Sequence, residues 1–410
     1  MNQKLEDILQ LALQTPEQTR ALTEELNVGF DTQARTWELI VKYHGSLETL
    51  KALGIEVEYL IAGYAVLTVP EQFVDRMVEL EEIEYVEMPK RYFYDIEMPT
   101  DNSCIAQVTL RHPNLSGAGV LVAVLDSGID YKLPEFRKSD GSTRIRFLWD
   151  QTLQPEAPAG AGTGREAGGS AATDMGGAEN AAMDGTQDSA PNAARPARRP
   201  PAGYRLGVEF DSAQINQALA APAGQRQYEL LPSIDSSGHG TAVAGIAAGD
   251  SPMYQGVAPE AELLIVKLGL PDASSFPRTT EIMRAVTYAI HKAIELRMPL
   301  VINLSFGNTY GAHDGSSLIE RFLDNAAEIG RTVICVGSGN EGNSGGHLAG
   351  SLLQEDDIAG GRPGAGIPSG SADGIPSRIG PIARPVSVEL AVADYERTLN
   401  VQLWKNYCDT

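Results

Sequence analysis

The stretch Asp235-Ser-Ser-Gly-His239-Gly-Thr-Ala-Val-Ala-Gly245 sets a histidine between two glycines, directly ahead of a run of small residues from Thr241 to Ala248. Glycines flanking a side chain mark a place where another group approaches the backbone closely. A helix beginning at about Thr241 puts the imidazole at a helix N-terminus, beside backbone donors that no helical carbonyl satisfies. A histidine held there is a candidate general base, because its unperturbed pKa lies near neutrality. By itself a Gly-His-Gly turn is weak, so its meaning depends on the partners the chain supplies.

Upstream, Gly119-Val-Leu-Val-Ala-Val-Leu-Asp126-Ser-Gly128 places six consecutive apolar residues before a carboxylate and a glycine turn. Such a run fits a strand buried on both faces of a parallel sheet, and sites in open α/β sheets form where strands end. Downstream, Glu262 to Leu268, Leu300 to Gly307 and Thr332 to Val336 read as further buried strands. Between them lie two amphipathic helices. One carries Ile282, Val286, Ile290 and Ile294, with Thr279 or Thr280 as its expected cap. The other carries Leu318, Phe322, Ala326 and Ile329 behind a Ser317/Glu320 capping box. Alternating buried strands and amphipathic helices imply an α/β core with a parallel sheet. Cys335, inside the last apolar run, is expected to be a buried small hydrophobe, and His291 a surface or packing residue.

The first hundred residues follow a different pattern. After a short helical segment around Leu5 to Leu13, the order is strand (36–44), helix (47–53), a strand pair broken at Ala62-Gly63 (57–69), helix (71–82) and strand (84–94). That order is a split βαβ, or ferredoxin-like, α+β module. From Pro155 to Gly203 there is no Val, Ile, Leu, Phe, Tyr or Trp. A segment of that composition cannot offset its ordering entropy and is expected to be a disordered insertion. The strand-like alternations at 386–392 and 398–404 open a β-rich unit with no return strand. The domain organisation expected is therefore 1–97, 98–385 with the insertion 155–203, and 386–410.

Composition narrows the function. The chain has 410 residues, 42% hydrophobic and 21% charged, with a formal charge of −22. The acidity argues against nucleic acid or an anionic membrane as partner. The polar start is no secretory signal, and no stretch approaches the roughly 20 apolar residues of a membrane span. Three scattered cysteines make no disulfide framework, His112, His313 and His347 lack ligand spacing, and no metal or other cofactor is expected. These features point to a soluble protein made in the cytosol.

Three segments, Val124-Leu-Asp126-Ser-Gly128, Ser237-Gly-His239-Gly-Thr241-Ala-Val-Ala-Gly245 and Gly339-Asn340-Glu-Gly342, resemble three of the four signature blocks of subtilisin-like serine peptidases (subtilases), in their order. Leu304-Ser305-Phe306-Gly307 resembles the strand that pairs with substrate backbone. The resemblance implies Asp126 orienting His239, His239 as general base and Asn340 as oxyanion donor. It implies a substrate cleft and specificity pocket lined by Ser305, Phe306, Gly307, Gly337, Ser338 and Gly339. The N-terminal module without a signal, the block Leu148 to Thr152 and the closing segment Tyr395 to Tyr407 are similar to the Csp-type germination proteases of spore formers. That likeness implies a propeptide in 1–97 that covers the cleft, self-processing within Met98 to Ser103, a jelly-roll insertion from about residue 386, a polypeptide substrate, and a cytoplasmic or spore-associated location.

The fourth block, Gly-Thr-Ser followed by small residues and proline, occurs nowhere in 1–410. Ser338, Ser369 and Ser371 stand outside a strand-to-helix context. The chain is therefore expected to be truncated before its nucleophile and inactive alone. A non-catalytic pseudoprotease that binds or regulates in spore germination is the alternative function.

Overall fold

The computed structural model of the chain describes residues 4–20, 23–94, 115–156, 197–251, 255–270, 277–308, 310–311 and 314–339. The N-terminal part comprises helices α1 (Asp7–Gln14) and α2 (Glu17–Arg20), strands β1 (Phe30–Asp31) and β2 (Thr36–Tyr43), helix α3 (Glu48–Ala52), strands β3 (Glu56–Tyr59) and β4 (Tyr64–Pro70), helix α4 (Val74–Val78) and strand β5 (Ile83–Glu87). β4 pairs with β2 and β3, and β2 with β5 and β1, all antiparallel. This is the split βαβ arrangement expected. The helix expected over 71–82 is shorter: a 3-10 turn, Glu71–Phe73, leads into α4.

The strand expected over 84–94 is interrupted. β5 ends at Glu87, and Pro89, which has no N–H to give a ladder, comes two residues later. The chain then leaves its own sheet. Strand β6 (Phe93–Tyr94) pairs instead with a segment more than 200 residues away.

The second part contains strands β7 (Leu121–Asp126), β8 (Ile145–Asp150) and β9 (Val208–Asp211), helices α5 (Ser212–Ala220), α6 (Gln225–Leu230) and α7 (His239–Ala248), then β10 (Glu262–Lys267), α8 (Thr279–Leu296), β11 (Leu300–Leu304), β12 (Phe306–Gly307), α9 (Leu318–Ala327) and β13 (Thr332–Val336). Its sheet runs β13-β11-β7-β10-β8-β9. All neighbours are parallel except β9, which lies antiparallel to β8. The parallel core agrees with the apolar runs; the antiparallel edge makes the sheet mixed.

Alternation along β7 sorts the core. Val122 and Val124 pack with Ile215 of α5 and with Ala244 and Ala248 of α7, whereas Leu121, Ala123 and Leu125 pack with Ile282 and Val286 of α8 and Phe322 of α9. Gly240, Ala244 and Ala248 form the buried edge of α7, and their small size lets the helix lie close to the sheet. The buried Arg144 guanidinium fixes the far end of α7, donating to the carbonyls of Glu135, Ala248, Pro259 and Ala261.

The two parts share one core. Ile40, Tyr64 and Val66, on one face of the N-terminal sheet, join the cluster around α8 and α9. Leu39, Val41, Leu67 and Val69, on the other face, pack on Leu9, Leu50 and Met77 of their own helices. An ionic network seals this contact. Glu38 of β2 accepts from Arg284 (2.6 Å), from Arg278 and from Thr280, while Arg284 also donates to Glu58 (2.8 Å) and Glu281 (3.3 Å).

Two expectations are corrected here. Cys335 is exposed, as is Val333 (56%), on β13, the edge strand of the sheet among the described residues. Neither Thr279 nor Thr280 is the cap of α8. Both lie in its first turn, and Glu281 reaches back to accept from the backbone N–H of Arg278 (3.0 Å). His291 is exposed, as expected. The jelly-roll strands, the segment Met98 to Ser103, and all of the 155–203 insertion except 155–156 and 197–203 lie outside the described residues.

Candidate active site

The C-terminal ends of three strands form one row: Asp126 of β7 is level with Lys267 of β10, which is level with Asp150 of β8. Helix α7 begins beside that row with His239 as its first residue, preceded by Gly238 at φ +77°. A positive φ here is cheap only for glycine. Gly240 explains itself by proximity. A Cβ on it would stand 2.2 Å from the Gly128 carbonyl oxygen and 3.1 Å from Asp126 Cβ. The two glycines around the histidine thus do separate jobs, one turning the chain and one admitting the β7 loop.

His239 Nδ1 lies 2.5 Å from Asp126 Oδ1, and the side chains are 2% and 0% exposed. The same carboxylate oxygen accepts the backbone N–H of Ser127 at 2.7 Å. Oδ2 of Asp126 has no hydrogen-bond partner among the described residues. Burial pushes the Asp126 carboxyl above its ordinary pKa, opposed by the hydrogen bonds from His239 and Ser127. A buried carboxylate with acceptor atoms only holds the imidazole by Nδ1–H and leaves Nε2 to take a proton.

Sequence reasoning passed over Asp235. Its Oδ1 accepts from Ser127 Oγ (2.8 Å), Ser237 Oγ (3.2 Å) and the N–H of Gly238 (3.0 Å). Its Oδ2 accepts from the N–H (2.9 Å) and Oγ1 (2.6 Å) of Thr241. Burial would raise its pKa, but these bonds outweigh burial and lower it. Lys267 Nζ braces the same turn from the sheet, donating to the Ile234 carbonyl at 2.7 Å.

Beyond β11, Ser305 precedes β12, and Asn303 Nδ2 donates to Ser305 Oγ at 2.6 Å. The Gly337 N–H donates to the Leu304 carbonyl (2.9 Å), which sets the exit of β13 against this strand, and Gly337, Ser338 and Gly339 are exposed. The structure therefore brings Gly337 beside Leu304 and Ser305; Asn340 lies outside the described residues. Along β12 runs β6, antiparallel, with Tyr94 opposite Phe306 and Phe93 opposite Gly307. On its other side, Lys90 to Tyr92 bonds to the start of α8: the Thr279 N–H donates to the Lys90 carbonyl and the Tyr92 N–H to the Pro277 carbonyl, both at 2.8 Å. The chain from Lys90 to Tyr94 is thus the middle strand between two segments of the second part.

A sequence profile of the subtilase family matches residues 117–366, well over half of the chain. The chain belongs to the subtilase family. Residues 3–90 match the profile of the Csp protease B prodomain. The chain is 35% identical over 151 residues to tripeptidyl-peptidase 2 of Oryza sativa, covering 35% of this subtilase and 10% of the rice protein. It is 40% identical over 111 residues to the major intracellular serine protease of Bacillus subtilis, covering 27% of this chain and 31% of that one. The chain therefore aligns with about a tenth to a third of the length of these relatives. The solved structure of the Clostridium perfringens CspB protease is 30% identical, with a TM-score of 0.43, over 59% of this subtilase and 40% of that chain.

Among the described residues no group of three or more His, Cys, Asp and Glu is placed to hold a metal ion. No described helix is long and apolar enough to cross a membrane.

Proposed function

We propose that this subtilase is a serine endopeptidase of subtilisin type, with Asp126 orienting His239, His239 as general base and Asn340 as oxyanion donor. The observation that carries this reading is the buried contact of 2.5 Å between Asp126 Oδ1 and His239 Nδ1 at the end of β7. The base accepts the proton of a serine hydroxyl as that oxygen attacks the peptide carbonyl, then returns it to the leaving amine. Ser305 to Gly307 and Gly337 to Gly339 flank the substrate backbone in this scheme. The docking of Lys90 to Tyr94 beside β12 supports the N-terminal module as a propeptide lying in the cleft.

The nucleophile belongs to a Gly-Thr-Ser block that the 410 residues do not contain. Two described serines beside the site, Ser127 and Ser237, both donate their hydroxyls to Asp235. The 410-residue polypeptide forms no acyl-enzyme on this reading. A fluorophosphonate probe tests it. No serine of this polypeptide should be labelled, whereas a gene product that includes a Gly-Thr-Ser block should be labelled at that serine and should lose labelling with His239→Ala. Stoichiometric labelling within 1–410 would sink the assignment.

A further inference from the structure

We propose that Asp235 is a positioning residue for His239, a role that rests on the reading of His239 as base. It joins the two halves of the site, which come from sequence positions more than a hundred residues apart. Ser127, next to Asp126, donates its hydroxyl proton to Asp235 Oδ1 and accepts the Gly240 N–H at 2.9 Å. Thr241, two residues past the histidine, donates its hydroxyl proton to Asp235 Oδ2 and accepts the Asp130 N–H at 2.9 Å. One carboxylate therefore holds two hydroxyls, and each hydroxyl reaches across to the backbone of the opposite segment. Ser237 completes the turn, donating to Asp235 and accepting the N–H of His239 at 3.2 Å.

The chemistry requires a carboxylate. Hydroxyls can reverse their hydrogens, but backbone N–H groups cannot. A backbone N–H points at each oxygen, Gly238 at Oδ1 and Thr241 at Oδ2. An asparagine in this place is nearly isosteric, yet it turns an NH2 group toward one of those two donors in either orientation. The mismatch falls within one turn of the imidazole. It loosens the registry between α7 and the β7 loop on which the Asp126–His239 contact depends.

The test uses the full 410-residue chain with isotope-labelled histidine. The proton shared by His239 Nδ1 and Asp126 should appear as a low-field, slowly exchanging resonance, assigned by its loss in His239→Gln. In Asp235→Asn its exchange with water should rise about tenfold, the factor that corresponds to one lost hydrogen bond, while cooperative melting is retained. Ser127→Ala cuts the bridge to β7 but leaves the carboxylate, and should accelerate exchange in the same direction. Asp235→Asn folded with wild-type exchange overturns the inference. Should that variant not fold, Ser127→Ala decides, and unchanged exchange overturns it. A wild-type chain lacking the resonance would instead refute the reading of His239 as an Asp126-held base.

Discussion

Asp126 Oδ1 and His239 Nδ1 are 2.5 Å apart across a boundary that neither the sheet nor the helix makes alone: β7 ends on one residue and α7 begins on the other. The carboxylate offers only acceptors, so it fixes the tautomer. Asp126→Asn can present an amide N–H to the ring and is expected to move the proton from Nδ1 to Nε2. Nitrogen-15 shifts of His239 above its titration read this directly. In a gene product that carries the nucleophile, turnover should fall by about 10⁴-fold.

Gly240 and Gly245 sit five residues apart on α7 and should respond oppositely to alanine. At Gly240 the new methyl meets the Gly128 carbonyl oxygen at 2.2 Å, so helix or loop has to move, at a cost of about 3 kcal/mol. At Gly245 nothing lies within 4 Å, and the helix should gain up to about 1 kcal/mol from alanine's better propensity. Urea denaturation of the two variants tests the contrast. Equal effects would show that α7 does not approach β7 as described.

Glu38 is the partner that Arg278 and Arg284 share across the contact between the two parts. Glu38→Ala leaves two arginines with fewer acceptors in a largely buried place and should cost about 3–5 kcal/mol. Exposed pairs, such as Lys51 with Glu48, are screened by solvent and should change stability far less when broken. Chemical denaturation distinguishes them.

The same carboxylate gives an acid limb. Burial alone would raise its pKa, but Arg284 and Arg278 hold it at about 2, against 4.5 for an ordinary glutamate. Its stabilisation is complete above about pH 4.5 and is lost as pH falls toward 2. A stability profile over that range should flatten in Glu38→Gln.

Glu6 has the opposite sign. Burial, reinforced by Glu87 and resisted by Lys90, pushes its carboxyl up to about 8. The folded chain therefore binds more protons than the unfolded one between about pH 4.5 and 8, and stability declines as pH rises through that window. Glu6→Gln still offers an oxygen to the Met88 N–H, which Glu6 now accepts at 3.1 Å, and should remove the decline.

Local signals carried much of this structure. Six apolar residues before Asp126 fixed a buried parallel strand, and the glycines around His239 marked a close approach that Gly128 fulfils. The order of the N-terminal strands and helices was likewise legible from periodicity. What escaped was relational. Asp235 carries no signal of its own in the sequence, because its five donors come from Ser127 and from its own turn together. Glu38 and Arg284 are 246 positions apart, and pairing at that distance leaves no trace in any local pattern. Cys335 was misjudged because apolar neighbours along a strand do not say whether an element covers the strand's second face.

The middle strand from Lys90 to Tyr94 has a consequence for competition. It is tethered to its groove by the chain that leads into it, so its local concentration is set by geometry and does not fall on dilution. Short tethers of this sort act at millimolar effective concentration. On the reading of β12 as the strand that pairs with substrate, a free peptide would have to compete with that tethered neighbour for the same edge. Cutting the connection would turn an intramolecular rival into an ordinary ligand, one that can be diluted away.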